Sequence, residues 1–163
     1  MFEGEILTLA QSVLDACRAR QWRLATAESC TGGLVAAALT AIAGSSDVVE
    51  RGFVTYSNAA KSELLGVSPE IIAAHGAVSA ETAAAMAQGA IARAPIDLAI
   101  SVIGIAGPGG ATPTKPVGLV LLGVARRDGK CHAERHVFPG DRSAVRRSAL
   151  EAALQLLDAE TRC

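Results

Sequence analysis

Aromatic side chains are scarce, with three Phe, one Tyr and one Trp making up 3% of 163 residues, although half the chain is hydrophobic. A core without large rings must be packed from Ala, Val, Leu and Ile, which suits close helix-on-sheet layers. An excess of either charge is also missing: 15 Lys and Arg stand against 16 Asp and Glu, for a formal net charge of −1. No basic tract or aromatic-studded basic stripe is present, so nucleic acid is not an expected partner. The four cysteines, Cys17, Cys30, Cys131 and Cys163, are far apart and form no C-x-x-C pair. That spacing argues against a zinc knuckle and against a disulfide framework, and fits a reducing cytoplasm. His75, His132 and His136 share no metal-ligand spacing, so no metal site is expected. No apolar run reaches the roughly 18 residues that span a bilayer, and the first residues are acidic where an export signal would be basic. The expectation is a soluble cytoplasmic protein with no membrane partner.

What is present reads as one domain covering residues 1–163, with no internal repeat, low-complexity segment or linker. Ile6, Leu7, Leu9, Ala10, Val13, Leu14 and Cys17 recur at helical spacing and predict an opening helix over 6–20. A strand over 24–28 then runs into Ser29-Cys30-Thr31-Gly32-Gly33 and an Ala/Leu-rich helix over 34–42. Residues 48–57 predict a second strand, followed by a helix over 59–65 and a short one after Pro69. A longer helix opens at the partial capping box Ser79-x-x-Thr82. The nearly continuous apolar run 96–105 predicts a strand buried on both faces. Residues 117–125 and 131–138 predict an antiparallel pair joined by the turn Arg126-Arg127-Asp128-Gly129. A closing helix follows Asp141 as its cap. Helices interleaved with strands predict an α/β fold: a three-layer α/β/α sandwich on a mixed, mostly parallel sheet, with the strand order left open.

Four constellations carry candidate chemistry. At Thr26-Ala27-Glu28-Ser29-Cys30-Thr31-Gly32-Gly33 a strand end delivers a hydroxyl, a thiol and bare N–H groups to a helix start. Such a terminus favours negative charge, a phosphate or the oxyanion of acyl transfer; a plain helix cap is the alternative. At Tyr56-Ser57-Asn58-Ala59-Ala60-Lys61 a tyrosine and a lysine bracket a turn into helix. Lys61 becomes a general base only if desolvation or a neighbouring cation lowers its pKa; otherwise it is a surface lysine. The run Gly104 to Pro113 has the glycine density of a dinucleotide fingerprint but lacks G-x-G-x-x-G and leads into a strand, not a helix. It is either a loop wrapped on a small ligand or a pliable surface connection. Near the closing helix, Arg142, Arg146 and Arg147 offer guanidinium groups suited to phosphate, or are simply solvated. No His/Asp set surrounds Ser29 in a recognisable triad order.

Taken together, T-A-E-S-C-T-G-G, T-Y-S-N-x-x-K, G-x-A-G-P-G-G-x-T-P-x-K-P-V-G and the final F-P-G-D-R resemble, in order and over nearly the whole chain, the CinA C-terminal family. The resemblance implies an anticodon-binding-domain-like α/β/α fold and hydrolysis of nicotinamide mononucleotide to nicotinate mononucleotide and ammonia, a step of pyridine-nucleotide recycling. It implies no metal or organic cofactor, a pyridine nucleotide as the small-molecule partner, and a homo-oligomer. By this carry-over Ser29 is the nucleophile, with Lys61 and Tyr56 as activating partners. Glu28, Cys30, Thr31, Gly32, Gly33, Gly107, Gly109, Gly110, Thr112 and Arg142 are the substrate-binding candidates. Ala111 stands where many relatives have a third glycine, and no pyrophosphatase-like domain precedes the module, which implies a deamidase-only chain. Two rivals stay open: a non-catalytic nucleotide-binding module, and an enzyme whose nucleophile is Cys30, its thiol made acidic by the helix N-terminus.

Overall fold

The computed structural model describes all 163 residues. Its order is α1 (Gly4–Arg20), β1 (Leu24–Glu28), α2 (Leu34–Thr40), a 3-10 turn (Ser45–Asp47), β2 (Val49–Val54), α3 (Asn58–Leu65), α4 (Pro69–His75), α5 (Ala80–Arg93), β3 (Leu98–Gly104), β4 (Leu119–Arg126), β5 (Cys131–Val137) and α6 (Arg142–Arg162). The sheet runs β2-β1-β3-β4-β5. The β1–β2 and β1–β3 pairs are parallel, whereas β3–β4 and β4–β5 are antiparallel. Four of the five strands therefore point the same way, and only β4 is reversed.

Alternation along the central strands sorts the core into two layers. Leu24, Leu98, Ile100, Val102, Val120, Leu122 and Val124 pack on one face, against Val13, Leu14, Val35, Leu39, Leu150, Leu154 and Leu157 of α1, α2 and α6. Ala25, Ala27, Ala99, Ile103 and Leu121 face the other way, against Leu65, Met86 and Ala90 of α3 and α5. Small residues let α5 approach closely: Ser101 on β3 donates to Ala83 O at 2.6 Å, and a Cβ on Gly123, opposite Ser101 on β4, would collide with that same carbonyl. Few rings are needed because helix and sheet meet almost at backbone distance.

The predicted caps are formed: Ser79 accepts from Thr82 N at 3.1 Å and Asp141 from Ala144 N at 2.9 Å. β2 and β3 are shorter than their apolar composition suggests. β2 stops at Val54 because the carbonyls of Thr55, Tyr56 and Ser57 turn inward to the Lys61 amine instead of continuing the ladder. β3 begins at Leu98, since the Asp97 carboxylate is taken up by the Arg23 N–H at 2.9 Å. No helix is long and apolar enough to cross a membrane.

Candidate active site

The chain leaves β1 outward to the edge strand β2 and returns on the other side of β1 as β3. Loops after β1 and β3 therefore diverge at their carboxyl ends and open a crevice, the usual place for a ligand in parallel α/β sheets. A cavity of about 220 Å³ lies there. It is lined by Ser29 and Cys30 after β1, Tyr56, Asn58 and Lys61 after β2, Ile103 and Gly104 at the end of β3 and Ala106 beyond it, with Ala77, Val78 and Arg142 completing the wall.

Ser29 is held by its own backbone: its N–H donates to Val102 O at 2.8 Å and its carbonyl accepts from Gly32 N at 3.0 Å. Lys61, on the first turn of α3, reaches inward with only 1% of its surface exposed. Its Nζ donates to the carbonyls of Thr55 at 2.9 Å, Tyr56 at 3.2 Å and Ser57 at 3.4 Å, and lies 3.4 Å from Ser29 Oγ. Burial lowers the Lys61 pKa from its ordinary value of 10.5, opposed only by the nearby Cys30 sulfur when that is ionised. In its neutral form the amine can donate to the two nearer carbonyls and turn its lone pair to the serine hydroxyl. A separation of 3.4 Å is long for a formed hydrogen bond but suits an unliganded site that tightens around substrate.

Beneath the nucleophile turn, the Glu28 carboxylate is fully buried and accepts from Thr31 Oγ1 at 2.6 Å, Gly33 N at 3.0 Å, Val35 N at 3.1 Å and Ala36 N at 2.9 Å. The start of α2 thus already carries its negative charge. This revises three expectations. The Glu28 carboxylate and the Thr31 hydroxyl are bound to each other and to the helix start, and neither residue is among those lining the cavity. The N–H groups of Gly33, Val35 and Ala36 are therefore closed to a phosphate or an oxyanion. Cys30 is no acidic thiol: burial pushes its pKa up to about 11, since the helix end that was to depress it serves Glu28.

Tyr56 sits at the cavity, but its hydroxyl accepts from Arg142 Nη2 at 2.8 Å and touches neither Ser29 nor Lys61; its carbonyl is what meets the lysine. Arg142 also donates from Nη1 to Gly107 O at 3.0 Å, spanning the mouth of the cavity between two loops. Gly32 and Gly33 shape the turn in the left-handed region, at φ 61° and 101°, but stay outside the cavity. Gly109, Gly110 and Thr112 are exposed on the loop beyond β3 and do not line it either, because Lys115 draws that loop to His75 O at 2.7 Å. Sequence reasoning gave Asn58 no role although it stands in T-Y-S-N-x-x-K, and missed Ala77, Val78 and Ile103, which lie in no motif. It also left Arg146 between a phosphate contact and a solvated surface position, whereas the guanidinium grips the carbonyls of Cys30 and Thr31, each at 3.0 Å. Arg147 pairs with Glu3 and Glu151 away from the site.

The CinA C-terminal domain family is matched over residues 6–161. This chain belongs to that family. It is 50% identical to the nicotinamide-nucleotide amidohydrolase PncC of Escherichia coli K12 over 96% of this chain and 95% of that one. A CinA-like protein of Syntrophobacter fumaroxidans is likewise 50% identical, over 91% of this chain but 35% of its own length. Among solved structures, the competence/damage inducible protein CihA of Agrobacterium tumefaciens superposes with a TM-score of 0.95 at 46% identity, covering 98% of this chain and 97% of that one. A CinA superfamily protein of E. coli follows the same course, with a TM-score of 0.91 at 37% identity, covering 98% and 93%.

Proposed function

We propose that this chain hydrolyses the carboxamide of nicotinamide mononucleotide to nicotinate mononucleotide and ammonia, as the name of its E. coli relative states for nicotinamide nucleotides. The observation that carries the mechanism is the buried amine of Lys61 facing Ser29 Oγ at the crevice of the sheet. Neutral Lys61 accepts the hydroxyl proton as Ser29 Oγ attacks the carboxamide carbon, and the resulting ammonium passes that proton to the departing nitrogen. Collapse of the tetrahedral adduct breaks the C–N bond, releases ammonia and leaves the nicotinoyl group esterified to Ser29. Water, deprotonated by the same amine, then attacks the ester and restores the serine. No step calls for a metal or an organic cofactor.

The pyridine ring fits the apolar wall of Ala77, Val78 and Ile103, which leaves the carboxamide pointing at Ser29. Arg142 at the mouth is the phosphate partner, with Tyr56 aligning its guanidinium rather than activating the serine. We place the enzyme in the cytoplasm as a homo-oligomer; sedimentation of the purified protein tests the second point.

The deciding experiment is ammonia release from nicotinamide mononucleotide, with chelator present, by the wild type and by Ser29→Ala and Cys30→Ala. Turnover by the wild type that disappears with Ser29→Ala and persists with Cys30→Ala is expected. A folded wild type that binds the nucleotide without releasing ammonia would leave only a binding module, and loss confined to Cys30→Ala would move the nucleophile to the thiol.

A further inference from the structure

Acyl transfer needs donors for the developing oxyanion, and the obvious ones are gone: the N–H groups of Gly33, Val35 and Ala36 all end on Glu28. Gly32 N–H is spent on Ser29 O. Only the N–H groups of Cys30 and Thr31 remain in the turn, bonded to no carbonyl. Both follow Ser29 directly in the chain, and Cys30 itself lines the cavity beside it.

From this geometry, and resting on the deamidase reading above, we infer that Arg146 is a positioning residue for the reaction: it locks the Cys30–Thr31 peptide so that the Thr31 N–H is presented to the oxyanion. In a trans peptide the C=O and N–H point in opposite directions, so whatever holds one aims the other. Arg146 Nε holds Cys30 O at 3.0 Å, which turns the Thr31 N–H away from α6. Its Nη2 holds Thr31 O at 3.0 Å, which aims the Gly32 N–H onto Ser29 O and fixes the nucleophile's own backbone. One planar fork thereby sets two consecutive peptides, something a single ammonium cannot do. Its positive charge on the Cys30 carbonyl also polarises that peptide and makes the Thr31 N–H a stronger donor. Glu28 grips the same turn from below, so the loop is held from both sides.

Steady-state deamidation of nicotinamide mononucleotide by wild type, Arg146→Ala and Arg146→Lys tests this, with thermal unfolding run alongside. Misaiming one oxyanion donor should lower kcat about 10- to 100-fold for Arg146→Ala while KM stays within about threefold. Added guanidinium at sub-denaturing concentration should recover part of that kcat in Arg146→Ala and none in Ser29→Ala, a response that a purely structural loss would not give. Should Arg146→Ala fail to fold, Arg146→Lys carries the test, with near-normal unfolding and a depressed kcat expected. The inference is overturned if a folded Arg146→Ala keeps its kcat, if only KM rises, as for a phosphate ligand, or if Arg146→Lys turns over at the wild-type rate. Wild-type silence toward the nucleotide would instead sink the deamidase reading, and the inference with it.

Discussion

A lysine at 1% exposure has lost its water, and the carbonyls of Thr55, Tyr56 and Ser57 replace that water only in part. Because the base must be neutral, kcat/KM should rise with pH through a midpoint below the ordinary lysine value of 10.5. Lys61→Arg, which keeps its proton, should lose about 100- to 10,000-fold in turnover and flatten that limb of the profile. The same shift bears on stability. Between the lowered folded pKa and the unfolded value the unfolded chain binds the extra proton, so stability should rise with pH across that window. Denaturant titrations at several pH values would read it as a slope that Lys61→Met lacks. Cys30 offers a second check, since a thiol pushed up to about 11 and buried should resist iodoacetamide at neutral pH while exposed Cys163 is labelled. Mass spectrometry of labelled native protein would show it, and rapid native labelling of Cys30 would contradict the site described. Ser29 and Lys61 were legible in the sequence because each stands in a short motif at a strand end. The Tyr56 hydroxyl was not, because its partner Arg142 lies 86 residues away and nothing local to either residue signals the pairing.

At the scale of elements, α2 shows how a side chain can be mistaken for a ligand site. A helix of seven residues opened by Gly33 has no conventional cap, and Glu28 supplies one from the preceding strand. The motif showed an acid and a helix start side by side, but not that the first would be spent on the second. Glu28→Gln replaces one acceptor oxygen with an NH2 and removes the charge that three backbone N–H groups and a hydroxyl meet. A loss of about 2–3 kcal/mol is expected from charged hydrogen bonds of this kind. Denaturant unfolding would measure it, and faster amide exchange at residues 33–36 would place it at the turn. Periodicity announced the helices and strands well, since a chain built of Ala, Val and Leu declares its faces plainly. Strand ends extend too far in the sequence reading because β-branched composition continues past the point where backbone groups leave the ladder, as at Thr55, whose N–H still meets Glu28 O while its carbonyl turns to Lys61. Strand order was not legible at all: it depends on which strand β3 returns beside, a choice made by packing far along the chain.

For the molecule as a whole, the crevice exists only because β1 separates β2 from β3, so binding and folding should be coupled through the assembled sheet. Ligand that binds only the folded chain stabilises it by mass action, about 2.7 kcal/mol at a hundredfold excess over Kd. For a domain of this size that corresponds to a Tm increase of roughly 5–11 °C, at about 2–4 °C per kcal/mol. Ser29→Ala should show this rise with nicotinamide mononucleotide, because its cavity and Arg142 are intact and it cannot consume the ligand. The wild type should show a shift that decays as incubation converts substrate to nicotinate mononucleotide, unless the product binds equally well, which direct addition of product would reveal. Gly123→Ala should separate folding from chemistry. Its Cβ would drive α5 off the sheet through Ala83 O, costing about 1–3 kcal/mol, while the Ser29–Lys61 pair on the other elements keeps its geometry. Saturating nucleotide should then recover most of the lost Tm and leave kcat near that of the wild type at moderate temperature. A variant as stable as the wild type would show that α5 has slack against β4, and a matching loss of kcat would show that the crevice feels the position of that helix.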